Sequence, residues 1–502
     1  MNIEEKLVAD ATAVMNTVKD LQAASALLGW DQETYMPDGA AEARAEQLAT
    51  LDTLAHQKLT GNATAEIVEK IRPVLNGGTT RTERLMKLFV REYDKASKLP
   101  ERLVHETSKA TALAQESWKK ARAASDFKIF RDDLKKLLDL KSEAAECYGY
   151  AENKYDALLD LFEPGMSVSH LKPVFSNLAK GTRELLAMVE PVKDRADDSV
   201  LYTKFDKNQQ LAFAQQISKA IGFNFETGRV DLSAHPFCTS FAPTDVRLTT
   251  RVFEDDLRSC LFGLIHETGH GMYEQGFAKE LTRTFAADGA SMGIHESQSL
   301  FWENVIARSE EFWEWGLPIL KTYFPEQLGN MTPLDFYKAI NTVSPSLIRI
   351  EADETTYNMH IILRFELEEA LINGTLSVDD VPTAWNDKMQ AFLGITPPSD
   401  AKGCLQDIHW SFGGFGYFPS YTLGKLYAAT LRKCLLRDMP ESPDNIRTGN
   451  FTPILEWLRT NIHQHGKTMT PDELIRNISG SSLTEQDFLE YAMAKAKRVY
   501  DL

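Results

Sequence analysis

The sequence is poor in cysteine. Only Cys147, Cys238, Cys260, Cys404 and Cys434 occur in 502 residues, and none form a C-x-x-C pair. That count argues against a disulfide-built secreted fold and for a reducing compartment. Basic surplus is lacking too. The formal charge is −17, so a nucleic-acid or anionic-membrane partner, which needs a positive face, is not expected. No apolar run approaches the ~20 residues of a membrane span. The N-terminal MNIEEKLVAD carries early acids and no apolar core segment, unlike a signal peptide. There is no fixed-period repeat and no low-complexity linker. Together these absences predict a protein of the cytoplasm.

What is present is helical periodicity. Ile3, Leu7, Val8, Ala11, Val14, Met15 and Val18 fall on one stripe. Similar stripes recur through 80–150, 168–190, 208–222 and 298–322. Asn373-Gly374 in "LINGTLS" reads as a helix stop. The fold class expected is mostly α, as one large catalytic domain over 1–502, of one or two lobes; a split into two helical domains near 160–200 is the alternative. One segment departs from the helical pattern. "VDLSAHPFCTSFAPTDVRLTTRVF" (230–253) is rich in β-formers. Its Asp245, Arg247 and Thr249 alternate with Val246, Leu248 and Thr250, which predicts a small antiparallel sheet. "LGWDQETYMP" (28–37) reads as a helix end packed by Trp30 and Tyr35.

Next comes "LFGLIHETGHGMYEQG" (261–276). Asp255 and Asp256 suit a helix start, Leu257, Leu261, Leu264 and Ile265 give an apolar face, and Gly276 suits the end. His266 and His270 are four apart and share one face of that helix. Both imidazoles can reach one divalent ion, while Glu267, one step round, can touch a water on it. This is H-E-x-x-H. With 11 histidines in the chain, chance supplies about 0.02 such matches. A catalytic zinc site needs a third protein ligand and an open position. "GIHESQSLFWENV" (293–305) offers Glu296, with His295 as the competing ligand. Glu303 is a solvated charge or a partner behind a ligand.

Two more stretches carry polar groups. In "SLIRIEADETTYNMHIILRFELEEALING" (346–374), Arg349, Asp353, Thr356 and His360 form a polar stripe on one long helix. The stripe is either an Arg–Asp pair on a wet face or a cleft wall where Arg349 receives a carboxylate by two bonds. In "GCLQDIHWSFGGFGYFPSYTLGKLY" (403–427), His409, Tyr417 and Tyr421 are candidate donors to a peptide carbonyl, or else part of an aromatic core turn.

Five segments in order, "DVRLT" (245–249), "HETGH" (266–270), "HESQS" (295–299), "IRIEAD" (348–353) and "GCLQDIHW" (403–410), resemble those of the M32 metallocarboxypeptidases of the thermostable carboxypeptidase 1 type, with bacterial and trypanosomatid members. The resemblance implies a gluzincin-type helical fold with a deep groove between two lobes. It implies release of single C-terminal residues from peptides with broad specificity, homodimers, and one divalent metal per chain, Zn2+ or Co2+. Carried over by motif, His266, His270 and Glu296 are ligands and Glu267 is the base for a metal-bound water. Arg349 holds the terminal carboxylate, His409 and Tyr421 (or Tyr417, one turn away) face the reacting carbonyl or the chain end, and His235 lines the substrate site. An extended peptide is expected to pair along 245–249. The rival activities are a zinc oligopeptidase, a dipeptidyl carboxypeptidase, or a helical scaffold with a structural zinc.

Overall fold

A computed structural model describes residues 5–75, 77 and 79–502. Ile3 of the first stripe therefore lies outside the described residues. The chain divides into two compact units, each made of three separate segments. The first comprises Met1–Ser97, Asp198–Ile340 and Leu431–Ser482; the second comprises Lys98–Asp197, Asn341–Thr430 and Leu483–Leu502.

Both units are built mainly of helices. In the first unit the predicted stripe belongs to helix Glu5–Thr34. Its Ala11, Val14, Met15 and Val18 are buried against Val68, Ile71, Met86, Phe89, Leu281 and Phe285. The end of this helix carries Trp30, 5.6 Å from the ring of Tyr35, and Arg247 stacks on Trp30 at 4.4 Å.

The sheet in this unit is mixed, not antiparallel as the alternation suggested. Strands β1 (Gly228–Leu232), β2 (Cys238–Ala242) and β3 (Asp245–Thr250) lie in the order β1-β3-β2. β3 is antiparallel to β2 through a tight turn but parallel to β1. The cause is insertion: β3 slides between the two earlier strands, and the segment 233–237 bridges the gap of two strand spacings, roughly 10 Å. Val246 and Leu248 are fully buried on one face, as the alternation predicted. β3 has partners on both edges, so no peptide can pair along 245–249; a strand-like ligand would have to use an outer edge of β1 or β2.

The second unit holds helices Glu101–Ala124, Lys128–Tyr148, Val168–Val189 and Tyr357–Ile372. The last begins eight residues after Arg349, so Arg349 does not stand on the long helix predicted over 346–374. It sits on a short 3-10 turn, Arg349–Glu351. Asp353 explains the break. Its carboxylate accepts the backbone N–H groups of Ser344, Thr355 and Thr356 and the Thr356 hydroxyl, which fixes the turn leading into the helix. The stop at Asn373-Gly374 is as predicted, with Gly374 at φ +72°.

A candidate metal centre and an arginine–aspartate cluster

The HETGH helix runs Leu257–Gln275, with the Asp256 carboxylate accepting the Arg258 N–H at its start and Gly276 capping its end. Glu296 stands on the next helix, Met292–Leu300. A glycine lets the two helices meet. A Cβ on Gly269 would lie 2.5 Å from the Gln298 carbonyl oxygen and 2.6 Å from Ser299 Cα, so only a residue without a side chain fits there.

This approach brings His266, His270 and Glu296 together, with one ligand atom from each within 4.8 Å of the others. His266 Nε2 lies 3.6 Å and His270 Nε2 3.4 Å from the same Glu296 oxygen. Ligands at ~2.0–2.1 Å from a tetrahedral ion are about 3.3 Å apart, so the spacing matches what one cation needs. The tautomers also fit. His270 Nδ1 is 3.0 Å from the His295 carbonyl, which can only accept, so Nδ1 carries the proton and Nε2 keeps its lone pair. His266 Nδ1 donates to Glu303 at 3.0 Å, freeing its Nε2 in the same way.

Electrostatics point in the same direction. Burial disfavours charge on His266, but Glu296, Glu303 and Glu267 outweigh it and push its pKa up to about 10. Burial, aided by His295, holds His270 neutral with a pKa of about 3. Glu267 is pushed up to about 7 by burial against the opposing pull of His266. His295 points elsewhere: its Nε2 is 2.8 Å from Glu274, and its ring stacks on His270. His235 is exposed on the loop between β1 and β2. The neighbouring Pro236 reaches to within 3.9 Å of a Cβ built on Gly263 of the HETGH helix.

The second unit gathers the remaining candidates. Arg349 donates through Nε and Nη2 to one oxygen of Asp407 at 3.0 and 2.8 Å, and through Nη1 to Tyr357 at 2.5 Å. Arg364 takes the other Asp407 oxygen at 2.7 Å. Two buried guanidiniums thus share one carboxylate, and burial alone would raise the Asp407 pKa, but both arginines drive it far below the usual carboxylate range. The cluster keeps one positive charge in excess. His409 Nε2 is 3.2 Å from the Tyr421 hydroxyl, and burial keeps His409 neutral with a pKa of about 3. The Tyr417 ring lies 5.3 Å from that of Tyr421. Glu368, fully buried, holds the loop bearing His409: it accepts from Tyr155 at 2.7 Å, Trp410 Nε1 at 2.9 Å and the Gly416 N–H at 3.0 Å.

Sequence reasoning assigned nothing to Asp407, Arg364 or Tyr357. Asp407 lies inside the quoted "GCLQDIHW", beside His409, and was the one available signal. The carboxylate that grips Arg349 in two-pronged fashion is the protein's own Asp407.

Two imidazoles with free Nε2 atoms, a distant glutamate and a buried glutamate between the histidines define a metallopeptidase of the H-E-x-x-H class. The chain belongs to the Peptidase_M32 family, described as carboxypeptidase Taq (M32) metallopeptidase, whose model matches residues 10–496. It is a metallocarboxypeptidase, a hydrolase of peptide substrates that uses a divalent metal. It is 38% identical to carboxypeptidase 1 of Bacillus subtilis (strain 168) over 487 residues, 97% of each chain. It is 39% identical to thermostable carboxypeptidase 1 of Thermus thermophilus over 492 residues, 96% of each chain. The crystal structure of the M32 carboxypeptidase from Deinococcus radiodurans R1 superposes with a TM-score of 0.94 at 35% identity, covering 99% of this chain and 100% of that one. Among the described residues no helix is long and apolar enough to cross a membrane.

Proposed function

We propose that the chain removes single residues from the C-termini of peptides with broad specificity, by attack of water under base catalysis. One cation per chain, Zn2+ or Co2+, is held by His266, His270 and Glu296. The observation that carries this is the convergence of both histidine Nε2 atoms on one Glu296 oxygen, at 3.6 and 3.4 Å, beside buried Glu267. A divalent cation bound there supplies Lewis acidity toward the scissile carbonyl and makes water acidic near neutral pH.

The chain's own residues do the rest. Glu267 takes a proton from the attacking water and passes it to the leaving amine, as its buried place beside the two histidines permits. The Tyr421 hydroxyl, positioned by His409, donates to the oxygen on which negative charge develops, and Tyr417 borders it. Arg349 receives the terminal carboxylate. The support is the excess positive charge of the Arg349–Asp407–Arg364 cluster, which a substrate carboxylate would neutralise. An internal peptide bond leaves that charge uncompensated, which is the physical basis for exopeptidase specificity. His235 contributes to the substrate site. Homodimers follow the family pattern, and the five scattered cysteines fit a cytoplasmic location.

Digestion of one decapeptide with mass readout, before and after chelation, tests the reading. Successive single-residue losses that chelation stops, and that an amidated C-terminus blocks, are expected. Dipeptide products would mean a dipeptidyl carboxypeptidase, and internal fragments an oligopeptidase.

A further inference from the structure

Behind His266 lies a second ionic contact. Glu303 accepts from His266 Nδ1 with one oxygen and from Arg308 Nη2, at 3.0 Å, with the other. Glu303 stands in a π-helical stretch, Phe301–Ala307, and Arg308 directly follows it. The Arg308 guanidinium is itself fixed on two further sides. Nη1 donates to the Ile340 carbonyl at 2.7 Å, and the plane lies 3.9 Å from the ring centre of Phe262. Phe262 is 3% exposed and sits on the HETGH helix one turn before His266. Arg308, Glu303 and His266 all have side chains less than a quarter exposed.

We propose that Arg308 is a positioning residue of the metal site, acting through Glu303 on His266. This rests on His266 being a metal ligand. A glutamate side chain has three rotatable bonds, and an unrestrained carboxylate beside the site could present either oxygen or swing to compete for the cation. Arg308 holds Oε1 from a fixed direction and so keeps Oε2 turned toward His266 Nδ1. That acceptor fixes both the ring orientation and the position of the proton, and so commits Nε2 to the cation. The planar, always-charged guanidinium, stacked on an aromatic ring, suits the task better than a flexible ammonium.

The test compares Arg308→Met with Arg308→Lys, Glu303→Gln and the double variant Arg308→Met/Glu303→Gln. Methionine keeps an apolar stem against Phe262 and removes every donor. Zn2+ affinity is measured by chelator competition on protein shown folded by circular dichroism. In the zinc-loaded chain with 15N-labelled histidine, NMR follows exchange of the His266 Nδ1 proton. Arg308→Met should lose ~10–100-fold in affinity and expose that proton to fast exchange, and Arg308→Lys should restore part of both. If Arg308 acts through Glu303, the double variant should bind no worse than the weaker single one. Affinity within about twofold of the parent with a protected Nδ1 proton, or losses that simply add, would overturn the inference. If Arg308→Met does not fold, the same criteria apply to Arg308→Lys against Glu303→Gln and their combination. His266→Ala separates the two ideas: if it binds Zn2+ as tightly as the parent, the ligand assignment itself is wrong.

Discussion

Replacing Gly269 by alanine should damage the metal site far more than the fold. A Cβ there would stand 2.5 Å from the Gln298 oxygen, 2.6 Å from Ser299 Cα and 3.0 Å from the Gln298 carbonyl carbon. Ordinary carbon contacts are ~3.5–4.0 Å, so the two backbones must part by about 1 Å. Backbone atoms cannot turn aside, so helix Met292–Leu300 has to retreat and carry Glu296 with it. Two stability effects oppose each other. Overpacking costs about 1–3 kcal/mol, whereas alanine gains about 1 kcal/mol over glycine inside a helix. The net change in folding stability is therefore modest. Metal affinity is the sharper readout, because a 1 Å retreat is about half of a ~2.0–2.2 Å metal–ligand bond. We expect a loss of ~100-fold or more, at or above the upper end for losing a supporting hydrogen bond behind a ligand. The assay is chelator competition together with thermal melting of the metal-free protein. Gly263→Ala is the control. It lies on the same helix, but its Cβ would meet nothing nearer than 3.9 Å, so it should bind metal normally and melt slightly higher. A Gly269→Ala protein that binds metal like the parent would refute the close-approach argument.

Three further outcomes are expected. Glu267→Gln should keep its metal while peptide hydrolysis falls ~10²–10⁴-fold, the usual worth of a general base; a metal-loaded variant with full activity would reject the assignment. Glu296→Ala should lose metal in elemental analysis, whereas His295→Ala, whose ring is held by Glu274, should retain it; the reverse pattern exchanges the two residues. His463 is fully buried with its Nε2 2.9 Å from Gln298, and burial lowers its pKa to about 3, below the unfolded value of 6.5. The unfolded chain therefore binds the extra proton between these values. The contribution is complete above pH 6.5 and is lost as pH falls toward 3, at ~1.4 kcal/mol per pH unit. Denaturant melts of the metal-free protein from pH 7 to 4 should show a shallower slope for His463→Gln; an unchanged slope counts against a neutral buried imidazole.

Local pattern made part of this molecule readable. The HETGH helix follows from a four-residue spacing, an apolar face and an aspartate start. The expectation of a third ligand downstream led to the stretch where Glu296 stands beside the two histidines. Other features depend on partners remote in sequence. Asp407 meets Arg349 and Arg364 across 58 and 43 positions, a pairing no periodicity encodes. Arg349 left its predicted helix because Asp353 holds a turn ahead of the following one, and an aspartate inside a polar stripe reads equally as a salt-bridge partner. The sheet became mixed because strand order depends on which strand is inserted, while alternation reports only the buried face. The two units each draw on three separate segments, so no single boundary near 160–200 could describe them.

The account turns on where a cation sits. Anomalous diffraction from crystals of the Zn2+-loaded protein, recorded on either side of the zinc edge, reads that position directly. One peak per chain is expected, about 2.0–2.2 Å from His266 Nε2, His270 Nε2 and a Glu296 oxygen. A peak on His295 and Glu274, or none within reach of both Nε2 atoms, would contradict it.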